Sequence, residues 1–458
     1  SLVSAMTAAT KRSSVLLLLL FFLSSLSYCR AFHHHPIHHH RHTARLHVSW
    51  TRSFSSILQM SMNQQEQPPT SDNDTVAQPA RAAGLFRHTP LIYSPTLTAR
   101  CSSSSSSNGK RRPVYLKLDC LQPSGSFKDR GMGHLCLTLQ QQDAKKKNDN
   151  NNNDNENNDN PTTTTQFISS SGGNAGLAVA ATGQALSGCQ VHVIVPETTK
   201  PLVIDKLRQT YGATVTVHGA NWNAADAYAR ELCRGTAAAH YVSPYDNSLL
   251  WTGHSTVIDE IYQDLAATTT ATSNSDSATT SPSIGTLIVS VGGGGLLCGV
   301  LEGLQRHYDK NNNNSQPTTQ VIAAETVGAS SFAQALQQKK LVRLDSIDSV
   351  ATSLGALEVT AATLDRVESC QASSTVQAAT CTDAQAVAAC LSFAAEHKLL
   401  VEPACGAALA VLYSDELRNE FLANDAVADA TGPIVVEVCG GSAVSVELLA
   451  QWKEQFGL

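Results

Sequence analysis

The stretch TLIVSVGGGGLLCGVLEGLQRHY, residues 286–308, decides the fold of this chain. It begins with β-branched and apolar residues, passes through four glycines at Gly292–Gly295, and continues with helical spacing. A strand that leads through a tight turn into a helix is the unit from which parallel sheets are built. The stretch therefore predicts an α/β fold.

The same alternation recurs along the chain. Other β-rich runs are VYLKL, QFISSS, VHVIVP, TVTVHG, QVIAAE and IVVEVCGG, and helical spacing occurs in AGLAVAATGQALSG, NAADAYARELCRG and DAQAVAACLSFAAEHK. Nearly continuous apolar strands indicate mainly parallel sheets that helices cover on both faces. No repeat period is visible, which argues against a solenoid.

The composition fits a globular α/β enzyme. Of the 458 residues 42% are hydrophobic and 15% are charged, and the net charge of −6 offers no basic surface for nucleic acid. The 12 cysteines include no CxxC pair and no spacing typical of zinc. Cysteines such as Cys189, Cys233, Cys298 and Cys390 are expected to be reduced and buried.

Residues 1–82 are expected to be a disordered targeting presequence. A short apolar run, 15–23, is too short to span a bilayer but fits a signal peptide, and no acidic residue precedes Glu66. This bipartite arrangement resembles plastid-targeting presequences, with a mitochondrial presequence or a cytoplasmic protein with a later start as alternatives. The mature form is expected to have no membrane segment.

Four polar tracts interrupt the patterned part of the chain. Such runs bury too little apolar surface to become ordered, and we expect them to be disordered surface insertions. The tracts cover 101–112, 145–165, 267–283 and 310–319.

One lysine stands out in PSGSFKDRG, residues 123–131, directly after the first apolar strand. Ser124 or Ser126 is expected to cap the helix that follows, with Asp129 and Arg130 as a charge pair at its start. An amine at a strand end lies where α/β folds bind ligands, and Lys128 there is suited to forming a Schiff base. The alternative is a solvated surface lysine.

Three further turns follow predicted strands. SSSGGNAGLA, residues 169–178, offers N–H groups at a helix start to a carboxylate, or is an ordinary turn. The glycines 292–295 suit a single phosphate, because the run lacks both GxGxxG and the P-loop lysine. EVCGGSAVS, residues 437–445, places Cys439 at a strand end, where it is either a site thiol or a buried core residue.

A lysine, an anion-binding turn, a phosphate cradle and a lone thiol together point to pyridoxal phosphate. The motifs SGSFKDRG, SSGGNAGLA, SVGGGGLLCGV, ETVGASSF, VEPACGAALA and VCGGS resemble the serine/threonine dehydratase family of fold-type II pyridoxal-phosphate enzymes, and most closely the animal-type L-serine dehydratases. The resemblance covers roughly 85–458 outside the polar tracts.

The resemblance implies a role for each matching residue. Lys128 is implied to carry the cofactor as a Schiff base and then to act as the base at the substrate Cα, while the cofactor phosphate protonates the leaving hydroxyl. The implied cofactor contacts are Phe127, Asn174, Gly292, Gly293, Gly294, Gly295 and Cys439. The implied substrate carboxylate contacts are Ser171, Gly172, Gly173 and Asn174. A thiol facing the ring nitrogen does not keep that nitrogen protonated as a carboxylate would, so the ring is a weaker electron sink. This favours elimination over transamination.

ETVGASSF resembles the cation site of serine dehydratases. Glu325 with the backbone oxygens of Ala329 and Ser331 is implied to bind a monovalent cation, K⁺, since all-oxygen ligands suit hard cations. Serine racemases have an aspartate at the position of Ser331, which favours a divalent ion. The alternative is a glutamate at a helix start with no metal.

The expected reaction is elimination from L-serine to pyruvate and ammonia, with L-threonine as a second amino-acid substrate. Gly172 is small, and we expect it to leave room for the methyl group of L-threonine. A serine racemase is disfavoured because it needs a second acid–base group at the position of Gly172, which has no side chain to transfer a proton. A cysteine synthase is disfavoured because it has a serine or threonine at the position of Cys439. Threonine dehydratase stays open. A protein that binds the cofactor without catalysis conflicts with the complete set of motifs.

The resemblance also implies the organisation of the mature protein. A large α/β domain, 83–121 with 247–458, is expected to hold the cofactor, and a small domain, 122–246, is inserted in it. A homodimer is implied by the family.

Overall fold

The computed structural model describes residues 76–101, 112–151, 164–236, 238–272, 283–310, 318–422 and 432–458. Most of the predicted presequence and the central part of each predicted polar tract lie outside these residues. Residues 76–82 are described and contradict the expected disorder up to residue 82, because they include helix α1 (Gln78–Ala82). Ala77 and Ala80 are buried in a small cluster with Phe86, so this segment packs onto the protein.

The larger sheet has six strands. Their bounds are β1 (Leu91–Tyr93), β2 (Val114–Lys117), β7 (Thr286–Ser290), β8 (Thr319–Thr326), β9 (Ser374–Cys381) and β10 (Ile434–Glu437). The strands lie in the order β1-β2-β10-β7-β8-β9, and all neighbours are parallel except β1 and β2. Every residue of β7, β8 and β10 is buried, as expected for a parallel sheet covered on both faces.

The smaller sheet has four strands, all parallel. Their bounds are β3 (Thr165–Ser169), β4 (Cys189–Val195), β5 (Thr214–Val217) and β6 (Ala239–Tyr241), in the order β5-β4-β3-β6. These strands all fall within 122–246, although the predicted domain boundaries themselves stay a prediction. Two mainly parallel sheets flanked by helices confirm the predicted fold class.

Helices connect the strands and cover the sheets. They are α2 (Pro95–Arg100), α3 (Lys128–Asn151), α4 (Asn174–Ala185), α5 (Pro201–Asp205), α6 (Trp222–Gly235), α7 (Ser248–Thr272), α8 (Gly295–Lys310), α9 (Ser331–Gln338), α10 (Ala361–Ser369), α11 (Asp383–His397), α12 (Pro403–Tyr413), α13 (Asp415–Leu422) and α14 (Val446–Gln455). No helix among the described residues combines the length and apolar character of a membrane span.

The helices α3 and α7 run further than the sequence predicted. α3 reaches Asn151 and α7 reaches Thr272, so the tracts predicted as disordered at 145–165 and 267–283 begin inside helices. A helix that is already anchored by buried residues can extend into polar sequence, because each added residue gains a hydrogen bond.

The two faces of the larger sheet bury different helices. Ile288 lies in a cluster with residues of α11 and α12, whereas its neighbours Leu287 and Val289 lie in a cluster with α7 and α8. Successive strand residues point to opposite faces, and this alternation produces the two clusters. The turns at the carboxyl ends of the parallel strands are thereby held on a rigid scaffold.

Candidate active site

The loop before α3 is fixed to the end of β10. Phe127 N–H donates to the carbonyl of Cys439 at 3.2 Å, and Gly441 N–H donates to the carbonyl of Gly125 at 2.9 Å. Gly440 has a φ of +77°, and a Cβ there would collide with the Gly125 carbonyl. Glycine at this position therefore allows the two turns to touch, and it brings PSGSFKDRG to Cys439.

Lys128 is the first residue of α3, and its side chain turns toward the segment after β6. Its Nζ donates to the carbonyl of Pro244 at 2.7 Å and lies 4.9 Å from the centre of the Phe127 ring. Burial lowers the pKa of Lys128 to about 8, against the opposing effect of Cys439 and Glu402. A lysine with this pKa is a partly neutral amine near pH 7–8, as a Schiff-base lysine requires.

The predicted serine cap of α3 is wrong. Within the described part of the chain, neither the Ser124 nor the Ser126 hydroxyl accepts a hydrogen bond from an N–H group of the helix. Instead, a helix residue binds the preceding turn: Asp129 Oδ2 accepts a hydrogen bond from Ser124 N–H at 2.6 Å and so closes the turn. Burial raises the pKa of Asp129 to about 7.

Asp129 and Arg130 do not form the predicted charge pair, because successive helical side chains point in different directions. Arg130 is fully buried and donates to both carboxylate oxygens of Asp119 and of Glu260, at 2.6–2.8 Å. Glu260 is shared with Lys117, whose Nζ lies 2.7 Å from Oε2. This buried network ties α3, two residues beyond Lys128, to α7 and β2.

The glycine turn after β7 is packed too tightly for side chains. A Cβ on Gly293 would enter the Tyr245 ring, and one on Gly294 would meet the Thr363 hydroxyl. Gly294 also has a φ of +88°, which disfavours other residues. No loop or side-chain hydrogen bond of the described residues engages the N–H groups of Gly292, Gly293 or Gly294. Bare N–H groups at the start of α8 suit a phosphate.

The predicted carboxylate turn lies between β3 and α4. Ser171 Oγ accepts from Gly173 N–H at 3.2 Å, and Asn174 is the first residue of α4. Asn174 Oδ1 accepts from Ser442 N–H at 2.8 Å, which joins this turn to the turn after Cys439. Asn174 Nδ2 also lies 3.3 Å from Ser353 Oγ.

Glu402 belongs to this arrangement although no role was predicted for it. It is 2% exposed, accepts from Asn174 Nδ2 at 2.8 Å with Oε1, and accepts from Ala443 N–H at 3.0 Å with Oε2. Burial raises the pKa of Glu402, and Lys128 opposes this. The signal was present in VEPACGAALA, where an acid directly before a helix-starting proline stands in an otherwise apolar run.

A second missed group lies behind the carboxylate turn. Ser170 is fully buried, and its hydroxyl donates to Asp226 Oδ1 at 2.6 Å. Asp226 also accepts from the Tyr241 hydroxyl and, at 2.8 Å, from Arg230 Nε. Asp226 on α6 therefore anchors the residue that precedes Ser171.

The side chain of Thr199 packs against Gly172. A Cβ on Gly172 would lie 2.7 Å from Oγ1 and 2.8 Å from Cγ2 of Thr199. The Thr199 side chain therefore occupies the space on the Cβ side of Gly172. The prediction that Gly172 leaves room for the methyl group of L-threonine stays a prediction.

Cys439 is a buried thiol, 5% exposed, with Ser290 Oγ at 4.0 Å. Contact with Cys405 and burial raise its pKa well above the usual value. All cysteines of the described residues are free, but Cys189 and Cys233 are half-buried rather than buried as predicted.

The predicted cation residues lie at the end of β8. Glu325 is fully buried and accepts from the N–H groups of Phe332 and Ala333, at 2.9 and 2.7 Å, so it caps α9. Burial raises the pKa of Glu325 to about 8. Ala329 and Ser331 are also fully buried nearby in the chain, and the Ser331 hydroxyl has no partner among the described residues. The cation itself stays a prediction.

The contacts join the predicted turns in one region. Lys128 reaches Pro244, whose neighbour Tyr245 packs on Gly293, and Ser353 lies against both Asn174 and Gly292. A buried amine, a crowded glycine cradle and a buried thiol fit a phosphorylated aldehyde such as pyridoxal phosphate. The individual residue roles stay predictions.

Known proteins share this architecture. Residues 83–440 match the family described as "Pyridoxal-phosphate dependent enzyme". The L-serine dehydratase/L-threonine deaminase of Mus musculus is 37% identical over 382 residues, which cover 83% of this chain and 98% of the mouse protein. A fungal L-serine ammonia-lyase from Rhizomucor miehei has a TM-score of 0.64 at 30% identity, covering 81% of this chain and 99% of that one. Maize serine racemase, with a TM-score of 0.61 at 22% identity and coverage of 84% and 97%, is alike in fold alone.

Proposed function

Because the chain belongs to the pyridoxal-phosphate dependent enzyme family and is a lyase of the serine/threonine dehydratase type, we propose that it converts L-serine to pyruvate and ammonia. L-Threonine is the proposed second substrate and gives 2-oxobutanoate. The names of the mouse and fungal relatives support this choice of substrates.

The observation that carries the proposal is the joining of the lysine turn to the thiol turn, through Phe127 N–H and the Cys439 carbonyl at 3.2 Å. Contact with Cys405 and burial raise the pKa of Cys439, so the thiol is neutral. When bound, the cofactor supplies the electron sink for the carbanion at Cα. A neutral thiol does not hold a ring nitrogen protonated as a carboxylate does, which favours loss of a β-substituent over amino-group transfer.

Lys128 is the proposed general base. Its pKa of about 8 leaves part of the amine neutral near physiological pH, which suits removal of the substrate Cα proton. The Pro244 carbonyl, 2.7 Å from Nζ, restricts the amine to one side of the site. The N–H groups around Ser171–Asn174, at the start of α4, are the proposed contacts of the substrate carboxylate.

The overall reaction balances without an oxidant. Loss of the Cα proton and the β-hydroxyl removes one water, and hydrolysis of the carbon–nitrogen bond then returns one water and releases ammonia. L-Serine thereby gives pyruvate and ammonia with no net change in redox state.

We further propose K⁺ at Glu325. The Glu325 side chain is buried, and no cationic side chain of the described residues lowers its pKa. Burial raises this pKa to about 8, and two backbone N–H groups oppose the rise. The carboxylate and the backbone oxygens of Ala329 and Ser331 would supply the hard ligands that such an ion prefers.

The test is a steady-state assay of the cofactor-saturated full chain with L-serine, D-serine and L-threonine, with and without K⁺. We expect keto acid from both L-substrates, and a Schiff-base absorbance band that Lys128→Ala abolishes together with activity. Lys453→Ala, at an exposed position of α14, should leave both unchanged. No keto acid from either L-substrate, or D-serine as the main product of L-serine, would refute the proposal.

A further inference from the structure

The space beside Gly172 is occupied from a different part of the chain. Thr199 places its hydroxyl and its methyl group 2.7 and 2.8 Å from the position that a Cβ of residue 172 would take. These distances are shorter than normal contacts between carbon and its neighbours, so the two positions compete for one volume. Thr199 thus supplies the side-chain bulk that the glycine lacks.

The fold places Thr199 there for a clear reason. β3 and β4 are neighbouring parallel strands, with Ser169 opposite Val193, so the turns that follow them lie side by side. Gly172 is in the turn after β3, and Thr199 is in the turn after β4. That second turn is closed by a hydrogen bond from Thr199 N–H to the Pro196 carbonyl at 3.0 Å.

A neighbouring loop fixes the same turn. Glu197 N–H donates to the carbonyl of Gly219 at 2.9 Å, and Pro201 starts α5 two residues after Thr199. Thr199 is therefore held by its backbone on both sides, and its half-buried side chain projects against the carboxylate turn.

We propose that Thr199 is a specificity-determining residue that limits the size of the group accepted at the substrate β-carbon. The site then prefers L-serine, whose β-carbon is unbranched, over L-threonine, which carries an additional methyl group. This inference rests on the proposed function, because it assigns the carboxylate turn to substrate binding.

The first experiment compares kcat/KM for L-serine and L-threonine in the cofactor-saturated wild type and in Thr199→Ala. We expect the ratio of L-threonine to L-serine to rise by about tenfold, since one methylene in an enzyme pocket is worth roughly 10–200-fold in discrimination. Thr199→Val is the matched control: it keeps both γ-atoms and should leave the ratio near the wild-type value.

The second experiment needs no turnover. Gly172→Ala should lower the thermal midpoint of the wild-type protein, because the new methyl group meets Thr199, and should lower it much less in a Thr199→Ala background. Equal effects of Gly172→Ala in both backgrounds would show that the two residues do not share a volume.

The outcomes separate the two proposals. Keto acid formation with an unchanged substrate ratio in Thr199→Ala contradicts the inference alone, as does a Thr199→Val variant that behaves like Thr199→Ala. A wild-type protein that makes no keto acid from either L-substrate contradicts the proposed function, and the specificity role falls with it.

Discussion

Replacing Arg130 by methionine is expected to destabilise the protein by about 3–5 kcal/mol at pH 7, the cost typical of removing one partner from a buried ion pair. The Arg130 guanidinium is fully buried and contacts the carboxylates of Asp119 and Glu260 at 2.6–2.8 Å. Methionine keeps much of the side-chain volume but removes the charge. Asp119, which is also fully buried, then loses its cation.

The pKa of Glu260 gives a second measure of the destabilisation expected for Arg130→Met. Burial alone would raise it, but Arg130 and then Lys117 overcome burial and lower it from 4.5 to about 2. A difference of this size corresponds to about 3 kcal/mol. Because the folded-state pKa is depressed, this stabilisation is present above pH 4.5 and is lost as the pH falls through 2.

The assay is unfolding in urea of the cofactor-saturated protein at pH 7 and at several values down to pH 3. The Arg130→Met variant should lose stability less steeply with falling pH than the wild type. Arg100→Met is the control, because Arg100 pairs with Glu396 at the surface with 41% of its side chain exposed, and should cost about 0–1 kcal/mol. An Arg130→Met variant as stable as Arg100→Met would refute the reasoning.

Three further predictions concern the site and its surroundings. Gly294→Ala should weaken cofactor binding at least about tenfold in a titration, because the new methyl group meets Thr363 and the backbone has a positive φ. Gly188→Ala is the control, since Gly188 also has a positive φ but lies in open space, and it should leave cofactor affinity unchanged. Asp226→Asn should raise the KM for L-serine several-fold with little change in kcat; a fall in kcat as large as the rise in KM would contradict a positioning role. Burial raises the pKa of Glu325 to about 8, so the free energy of unfolding measured in the absence of K⁺ should fall as the pH rises from 4.5 to 8. An equally steep fall in Glu325→Gln would contradict this.

The main strands and the glycine turns were predictable because each is a local pattern. β7 and β10 are short runs of branched apolar residues followed by glycine, and they are buried throughout. β9 was not predicted, because its sequence is polar and alanine-rich and its buried residues are interspersed with exposed and half-buried ones. β1 and β6 were missed because three residues carry too little periodicity.

The side-chain partners of the charged residues were not predictable. Arg130 next to Asp129 suggested a local pair, but the structure pairs it with Glu260, a residue 130 positions later. Glu402 and Asp226 were missed for the same reason, since the groups that they contact lie on other elements. Sequence spacing reports neighbours along one helix or strand and carries no record of which elements meet.

The sequence by itself determined the α/β class, the lysine in the turn after β2, the glycine turn after β7 and the thiol just after β10, because each depends on residues that are adjacent in the chain. The tertiary structure alone decided that Arg130 is buried between Asp119 and Glu260, that Glu402 holds Asn174, and that Thr199 fills the space beside Gly172. Parallel strand order sets these contacts, because it brings together turns that are distant in sequence.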